Sequence, residues 1–335
     1  MIRLRLARYI VSSCTALAVC SAPVPAQAPD AVVAKPEWAY AHDLKIRKGK
    51  ETDWEKSLKL GVEVFKYPAY KANIVLTSSG SLAVIPEDAL PNKKAEWATG
   101  LSFSVRTADE EKFTKDTALY GAEIYKNAFS GAVLYLSEKN SVGVLAATAE
   151  ANKEPQFLYG FKLKARKPGV QSFEKEAKAY GLEAYRDNST GGLVYITEAG
   201  NLAVAKGAPD KTPEAKDVKK PKPLYGLEPK VRKVGEPEFT DKTTKISIEV
   251  FKDENANNLI YITDSGVIAA VPVPEGMKTD GKLPWVASME LRARPGGEPD
   301  FAKANKYSIE VFEDKNTNYL LFVSSSGSIA VLPRK

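Results

Sequence analysis

Five arginines and five glutamates stand at fixed spacings along this chain, and they are the residues best placed to do chemistry. The arginines are Arg47, Arg106, Arg166, Arg232 and Arg294, each followed 16 or 17 residues later by Glu63, Glu123, Glu183, Glu249 or Glu310. Seven residues after each arginine comes a large aromatic: Trp54, Phe113, Phe173, Phe239 and Phe301. Seventeen residues after each glutamate comes Gly80, Asn140, Gly200, Gly266 or Gly327. Glycine and asparagine are the residues that best tolerate a left-handed backbone, so this place reads as a tight turn. The planar fork of arginine matches a carboxylate with two parallel hydrogen bonds. The pairs are therefore expected to be structural ion pairs that fix each unit's register. The alternative is a ring of five Arg or Glu side chains facing a shared channel or ligand. Hydrolysis by paired carboxylates needs two acids in unlike environments, and five equivalent acids, each with its arginine, do not fit that.

Other reactive side chains are scarce. After the first 28 residues the chain has one histidine, His42, and no cysteine. The sister units carry Leu101, Phe161, Leu227 and Met289 at that place, so His42 is expected to be a packing residue. A Ser-His-Asp triad would depend on it, and a histidine-based zinc site would lack partners. Asp253-x-Asn255-x-Asn257 and Asp314-x-Asn316-x-Asn318 resemble the start of a calcium loop. Strands rather than helices are expected on either side of them, and Asx residues are also ordinary turn formers. They are the weak calcium candidates, and no catalytic residue, cofactor site or other metal site is expected. Trp38, Trp97 and Trp285 open three of the units. They could stack on sugar rings through an aromatic face, or act as staples for the first strand.

The termini and charge bound the compartment. Arg3, Arg5 and Arg8 precede an apolar stretch from Tyr9 to Ala22, and Ala26-Gln27-Ala28 has the small-residue pattern of a cleavage site. Residues 1–28 thus read as a secretory signal peptide, and the apolar stretch is too short to span a bilayer. Leu17-Ala18-Val19-Cys20 offers a lipid-attachment alternative at Cys20, although Val19 is larger than the usual residue there. The expected location is the periplasm or cell surface, with no transmembrane span. Without the three leader arginines, 45 basic and 42 acidic residues remain, mixed along the chain. No basic stripe for nucleic acid stands out.

The elements that must position these residues repeat with them. Each unit opens on a strand of period-two alternation, such as Leu101, Phe103 and Val105 against Ser102, Ser104 and Arg106. A charged turn follows, and then a stretch whose apolar residues fall at helical spacing: Phe173, Ala177 and Tyr180. Gly181 stands where a helix cap is expected, so a short helix is predicted there. Three strands complete the unit, the third continuously apolar, as in Leu259–Ile262. A linker at 29–36 precedes repeat 1 at 37–88. Repeat 2 spans 96–148, repeat 3 156–206, repeat 4 223–273 and repeat 5 284–335, with a longer linker at 207–222.

Five tandem β-α-β-β-β units make the chain mainly β, and a five-bladed β-propeller is the best match. A row of packed small α+β modules is the alternative. The polar face of the first strand, the long connectors and the lack of a spare strand to complete a shared blade all count against closure. The expected function is non-catalytic: multivalent binding of a surface polymer such as a glycan, or of an envelope protein. The alternative is a purely structural envelope scaffold. A hydrolase with a site in one repeat is the third reading.

Overall fold

A computed structural model describes residues 35–87, 95–127, 132–151, 153–174 and 176–334. The signal-peptide and Cys20 readings lie outside these residues. The described residues form a five-bladed β-propeller. Every blade is a four-stranded antiparallel sheet built from one contiguous stretch. Blade 1 comprises Glu37–Ile46, Leu58–Tyr67, Ala72–Thr77 and Leu82–Pro86. Blade 2 comprises Ala95–Val105, Ala118–Asn127, Ala132–Ser137 and Val142–Ala146. Blade 3 comprises Gln156–Arg166, Ala177–Asp187, Gly192–Thr197 and Leu202–Ala205. Blade 4 comprises Lys222–Leu227, Ile248–Asp253, Asn258–Thr263 and Ile268–Pro272, and a short ribbon pairs Lys230–Val231 with Thr244–Lys245. Blade 5 comprises Trp285–Ala293, Asn305–Asp314, Tyr319–Ser324 and Ile329–Pro333.

The hydrophobic pattern sets the radial order. The fourth strand of each blade packs against the fourth strands of both neighbours, including blade 5 on blade 1, so these strands surround the axis. All six residues of the third strand are buried in every blade, because neighbouring sheets cover both faces. The first strand is outermost. Its inner positions are buried and its alternate positions face solvent, as in Trp285–Ala293, which explains the polar face that had argued against a propeller. The ring closes without a shared blade. Arg294 Nε lies 2.7 Å from Glu63 Oε1, Tyr307 Oη donates to the Ser78 carbonyl at 2.8 Å, and Gly297 N donates to Asp43 Oδ1 at 3.0 Å.

Among the described residues the predicted helices are absent, and the one helical turn is the 3₁₀ segment Pro68–Tyr70. In blade 3 a turn precedes the second strand, where Ala177–Tyr180 pair with Arg166–Leu163 of the first strand. An isolated helix that short has little stability of its own, and from Ala177 onward the stretch pairs in the ladder instead. Gly181 is no cap. It lies inside that strand, where a Cβ would stand 2.0 Å from the carbonyl oxygen of Arg106 in blade 2. Gly61 and Gly121 meet Arg294 O and Arg47 O in the same way, at 1.9 and 2.6 Å. The glycine is thus required by the close passage of the preceding blade. The turn between third and fourth strands does use the left-handed region, with φ of 86° at Gly80 and 62° at Asn140.

Candidate functional site: five blade interfaces

The recurrent Arg and Glu meet, but across blades. Arg47, Arg106, Arg166 and Arg294 stand at the end of an outermost strand and Arg232 directly follows the short ribbon of blade 4; each fork reaches the glutamate in the second strand of the next blade: Arg47 to Glu123, Arg106 to Glu183, Arg166 to Glu249, Arg232 to Glu310 and Arg294 to Glu63. The Nε–Oε1 distances run from 2.6 to 2.8 Å. Arg232 adds Nη2 to Glu310 Oε2 at 3.2 Å, and its Nη1 donates to the Pro237 carbonyl. The pairs therefore fix blade against blade rather than register within a unit. Neither member faces a shared channel, since the axis is lined by fourth-strand residues such as Leu82, Val144, Ala203, Ala270 and Val331.

Each glutamate is nearly sealed, with 0–3% of its side chain exposed. Burial pushes the Glu183 carboxyl above its usual range, against the opposing pull of Arg106. The hydrogen bond to Glu183 raises Arg106 in turn. A buried carboxylate requires such a partner, because an ion alone in this environment is costly.

Aromatic rings complete the stations. The ring seven residues after the arginine lies over its guanidinium: Trp54 at 4.4 Å, Phe113, Phe173 and Phe239 at 4.7 Å, and Phe301 at 5.2 Å. The aromatic that opens the next blade closes the other side. Trp38 Nε1 donates to Glu63 Oε2 at 2.6 Å, Trp97 Nε1 to Glu123 Oε2 at 2.7 Å and Trp285 Nε1 to Glu310 Oε2 at 2.8 Å. These rings meet the preceding blade's aromatic edge-on: Trp97 on Trp54, Phe157 on Phe113, Trp285 on Phe239 and Trp38 on Phe301. The indole edge is thus spoken for, yet Trp38, Trp97 and Trp285 remain 51%, 44% and 48% exposed.

The station between blades 3 and 4 departs from this pattern. Four opening aromatics share one register position: Trp38 opposite Phe65, Trp97 opposite Tyr125, Phe157 opposite Tyr185 and Trp285 opposite Phe312. In blade 4 the residue opposite Phe251 is Pro223, with the same irregularity in the ladder just after it. Arg166 and Glu249 are still paired, but among the described residues no indole donates to Glu249 and no second ring closes on Phe173. A cleft of about 650 Å³ opens there instead, lined by Phe161, Lys162, Lys164, Phe173, Val218, Lys220, Pro223 and Phe251 among others. Sequence reasoning missed these lining residues. The available signal was the lack of an opening aromatic in unit 4, next to the longest connector.

The calcium candidates lie deeper in the interfaces. Asp253 is fully buried and its Oδ2 accepts from Tyr159 and Tyr195 of blade 3, at 2.9 and 2.6 Å. Its Oδ1 accepts from Asn255 N and Nδ2, both at 2.9 Å. Asp314 accepts from Tyr225 and Tyr261 of blade 4, and Asn316 N donates to its Oδ1. Asn257 and Asn318 take the left-handed turn position, with φ of 52° and 58°. These loops already spend their carboxylate oxygens on tyrosine and backbone donors. The described residues hold no group of three His, Cys, Asp or Glu side chains that could bind a metal.

His42 lies in the outermost strand of blade 1 and is 6% exposed. Its Nδ1 accepts from Ala95 N at 3.3 Å, while Nε2 has no hydrogen-bond partner in the described residues. Burial lowers its pKa to about 4, with Asp43 opposing. No family model, curated protein or solved structure matches this chain.

Proposed function

We propose that this is an exported, non-catalytic binding protein that holds a surface polymer, a glycan in the first instance, through the indole faces repeated around its blade interfaces. The observation that carries this reading is the half-exposure of Trp38, Trp97 and Trp285 at one equivalent place in their blades. Exposed aromatic faces on otherwise closed stations stack on sugar rings, and a repeated weak contact gains strength from avidity. Among the described residues, four of the five exposed large hydrophobics, these three and Phe113, belong to such stations. Export rests on the leader residues, and Cys20 remains the candidate for lipid attachment. The non-catalytic reading rests on the sealed Arg–Glu pairs and the buried His42.

Retention on insoluble polysaccharides, with Trp38→Leu, Trp97→Leu and Trp285→Leu singly and together, tests the proposal. Single substitutions should weaken retention several-fold and the triple substitution should abolish it. Equal retention by the triple variant, or no retention of the parent on any polysaccharide, would leave the scaffold reading. That second reading is supported by the use of all five Arg–Glu pairs to join blades.

A further inference from the structure

From the cleft between blades 3 and 4 we infer a single binding site for an amphipathic anion, a molecule with an apolar chain or ring and one carboxylate or sulfonate. This site is separate from the indole faces and does not depend on the polymer reading.

The cleft exists because the residue that would fill it is missing. Pro223 stands where the other blades place Trp38, Trp97, Phe157 or Trp285. The space has the size of an ordinary small-molecule site, about 650 Å³. Its apolar surface comes from Phe161, Phe173 and Phe251 with Val218 and Pro223. Its charged lining is of one sign: Lys162, Lys164 and Lys220, with no acidic side chain among the lining residues. Lys162 meets Asp109 at 3.0 Å, but Asp109 is 92% exposed, so that contact is weak and easily exchanged.

The outer wall is fixed in advance. It belongs to the 207–222 connector, which is tied to both blades. Gln156 Nε2 donates to Thr212 Oγ1 at 2.8 Å on the blade 3 side. On the blade 4 side, Lys219 N donates to Asn255 Oδ1 at 2.9 Å and Asn255 Nδ2 donates to the Lys219 carbonyl at 2.8 Å. Ala208 and Val218 pack against the blade 3–4 core. A preformed wall lowers the entropy lost when a ligand binds. An apolar body would sit against the three phenylalanines with its anionic end toward the lysines.

Fluorescence titration of the full chain with anilinonaphthalenesulfonate tests this, beside N-phenylnaphthylamine, which has the same rings and no charge. Saturable one-site binding of the sulfonate is expected, at least tenfold tighter than the neutral compound. Pro223→Trp should supply the missing ring and abolish binding. Ala215→Trp, at an exposed connector position lining the cleft, should do the same if Pro223→Trp disturbs folding. Reversing Lys162 and Lys220 to Glu should weaken the sulfonate roughly tenfold or more and spare the neutral compound. Displacement by palmitate would identify an acyl-chain ligand, and displacement by naphthoate alone an aromatic one. Absence of one-site binding, equal affinity for the neutral compound, or full binding in both tryptophan variants would overturn the inference.

Discussion

The interface between blades 4 and 5 and the one between blades 3 and 4 start from the same parts and end differently. Both have the Arg–Glu fork, the phenylalanine over the guanidinium and the buried Asp that takes two tyrosine hydroxyls. At the first, Trp285 covers the station, donates to Glu310 and meets Phe239 at 5.9 Å. At the second, Pro223 leaves the station open, and a cleft takes the place of a ring. The two show which part of the station joins blades and which part decides whether a surface is closed. The ion pair survives without the indole, so the fork is the common joint. The ring is the variable element, and its loss is what creates a cavity.

The largest effect should come from the fork. Glu310→Ala leaves Arg232 with 11% of its side chain exposed and no carboxylate. Breaking one side of such a buried pair costs about 3–5 kcal/mol. Glu249→Ala strands Arg166, which is 18% exposed against 11% for Arg232 and lies over Phe173, a residue that lines the cleft. The more exposed charge is the better solvated one, so its loss should be smaller by about 1 kcal/mol, in keeping with the lower cost of a solvated ion. Urea denaturation of both variants measures the difference. Equal losses would mean that the greater exposure does not solvate the arginine and that the open and closed stations are energetically alike.

A second effect concerns a buried base that the forks do not use. His42 has a folded pKa near 4 against an ordinary value of 6.5. The unfolded chain therefore binds the proton first as the pH falls. The stability due to keeping His42 neutral is complete above about pH 6.5 and is lost between there and pH 4. The whole shift corresponds to roughly 3 kcal/mol. His42→Leu, which copies Leu101 and Leu227, should flatten stability across that window while changing it little at pH 8. If the variant and the parent keep the same pH slope between 4 and 6.5, the histidine does not control it. The same measurement on Glu310→Ala separates this local term from the forks.

Much of the architecture was legible because the repeats mark it. Gly80, Asn140, Gly200, Gly266 and Gly327 name the turn that demands a left-handed residue. The apolar third strands signal burial on both faces. What could not be read was which blade each side chain reaches. The forks join residues 76 to 83 apart in sequence, and 231 apart at the closure. Within a unit, by contrast, the same Arg and Glu lie only 16 or 17 apart, so local spacing suggested the wrong pairing. Gly181 misled for the same reason. Its need for glycine comes from Arg106 O of another blade, which no local pattern contains. The cleft was hidden as an absence: a missing aromatic in unit 4 matters only once the other four are seen to occupy one station.

The smallest expected effect isolates the indole N–H. Trp285→Phe keeps a ring over the station but removes the donor to Glu310, reproducing the arrangement around Phe157, where Glu183 is paired with Arg106 and has no indole. A hydrogen bond to a charged acceptor contributes about 1.5–3 kcal/mol, and Arg232 still satisfies both oxygens, so the loss should fall near 1 kcal/mol. Trp285→Leu removes the ring as well and should lose more, since the edge-on contact with Phe239 goes with it. Thermal melts of the pair order the two contributions. If Trp285→Phe costs as much as Trp285→Leu, the donor rather than the ring closes the station. Filling the blade 3–4 cleft would then need a hydrogen-bonding indole rather than any ring of the right size.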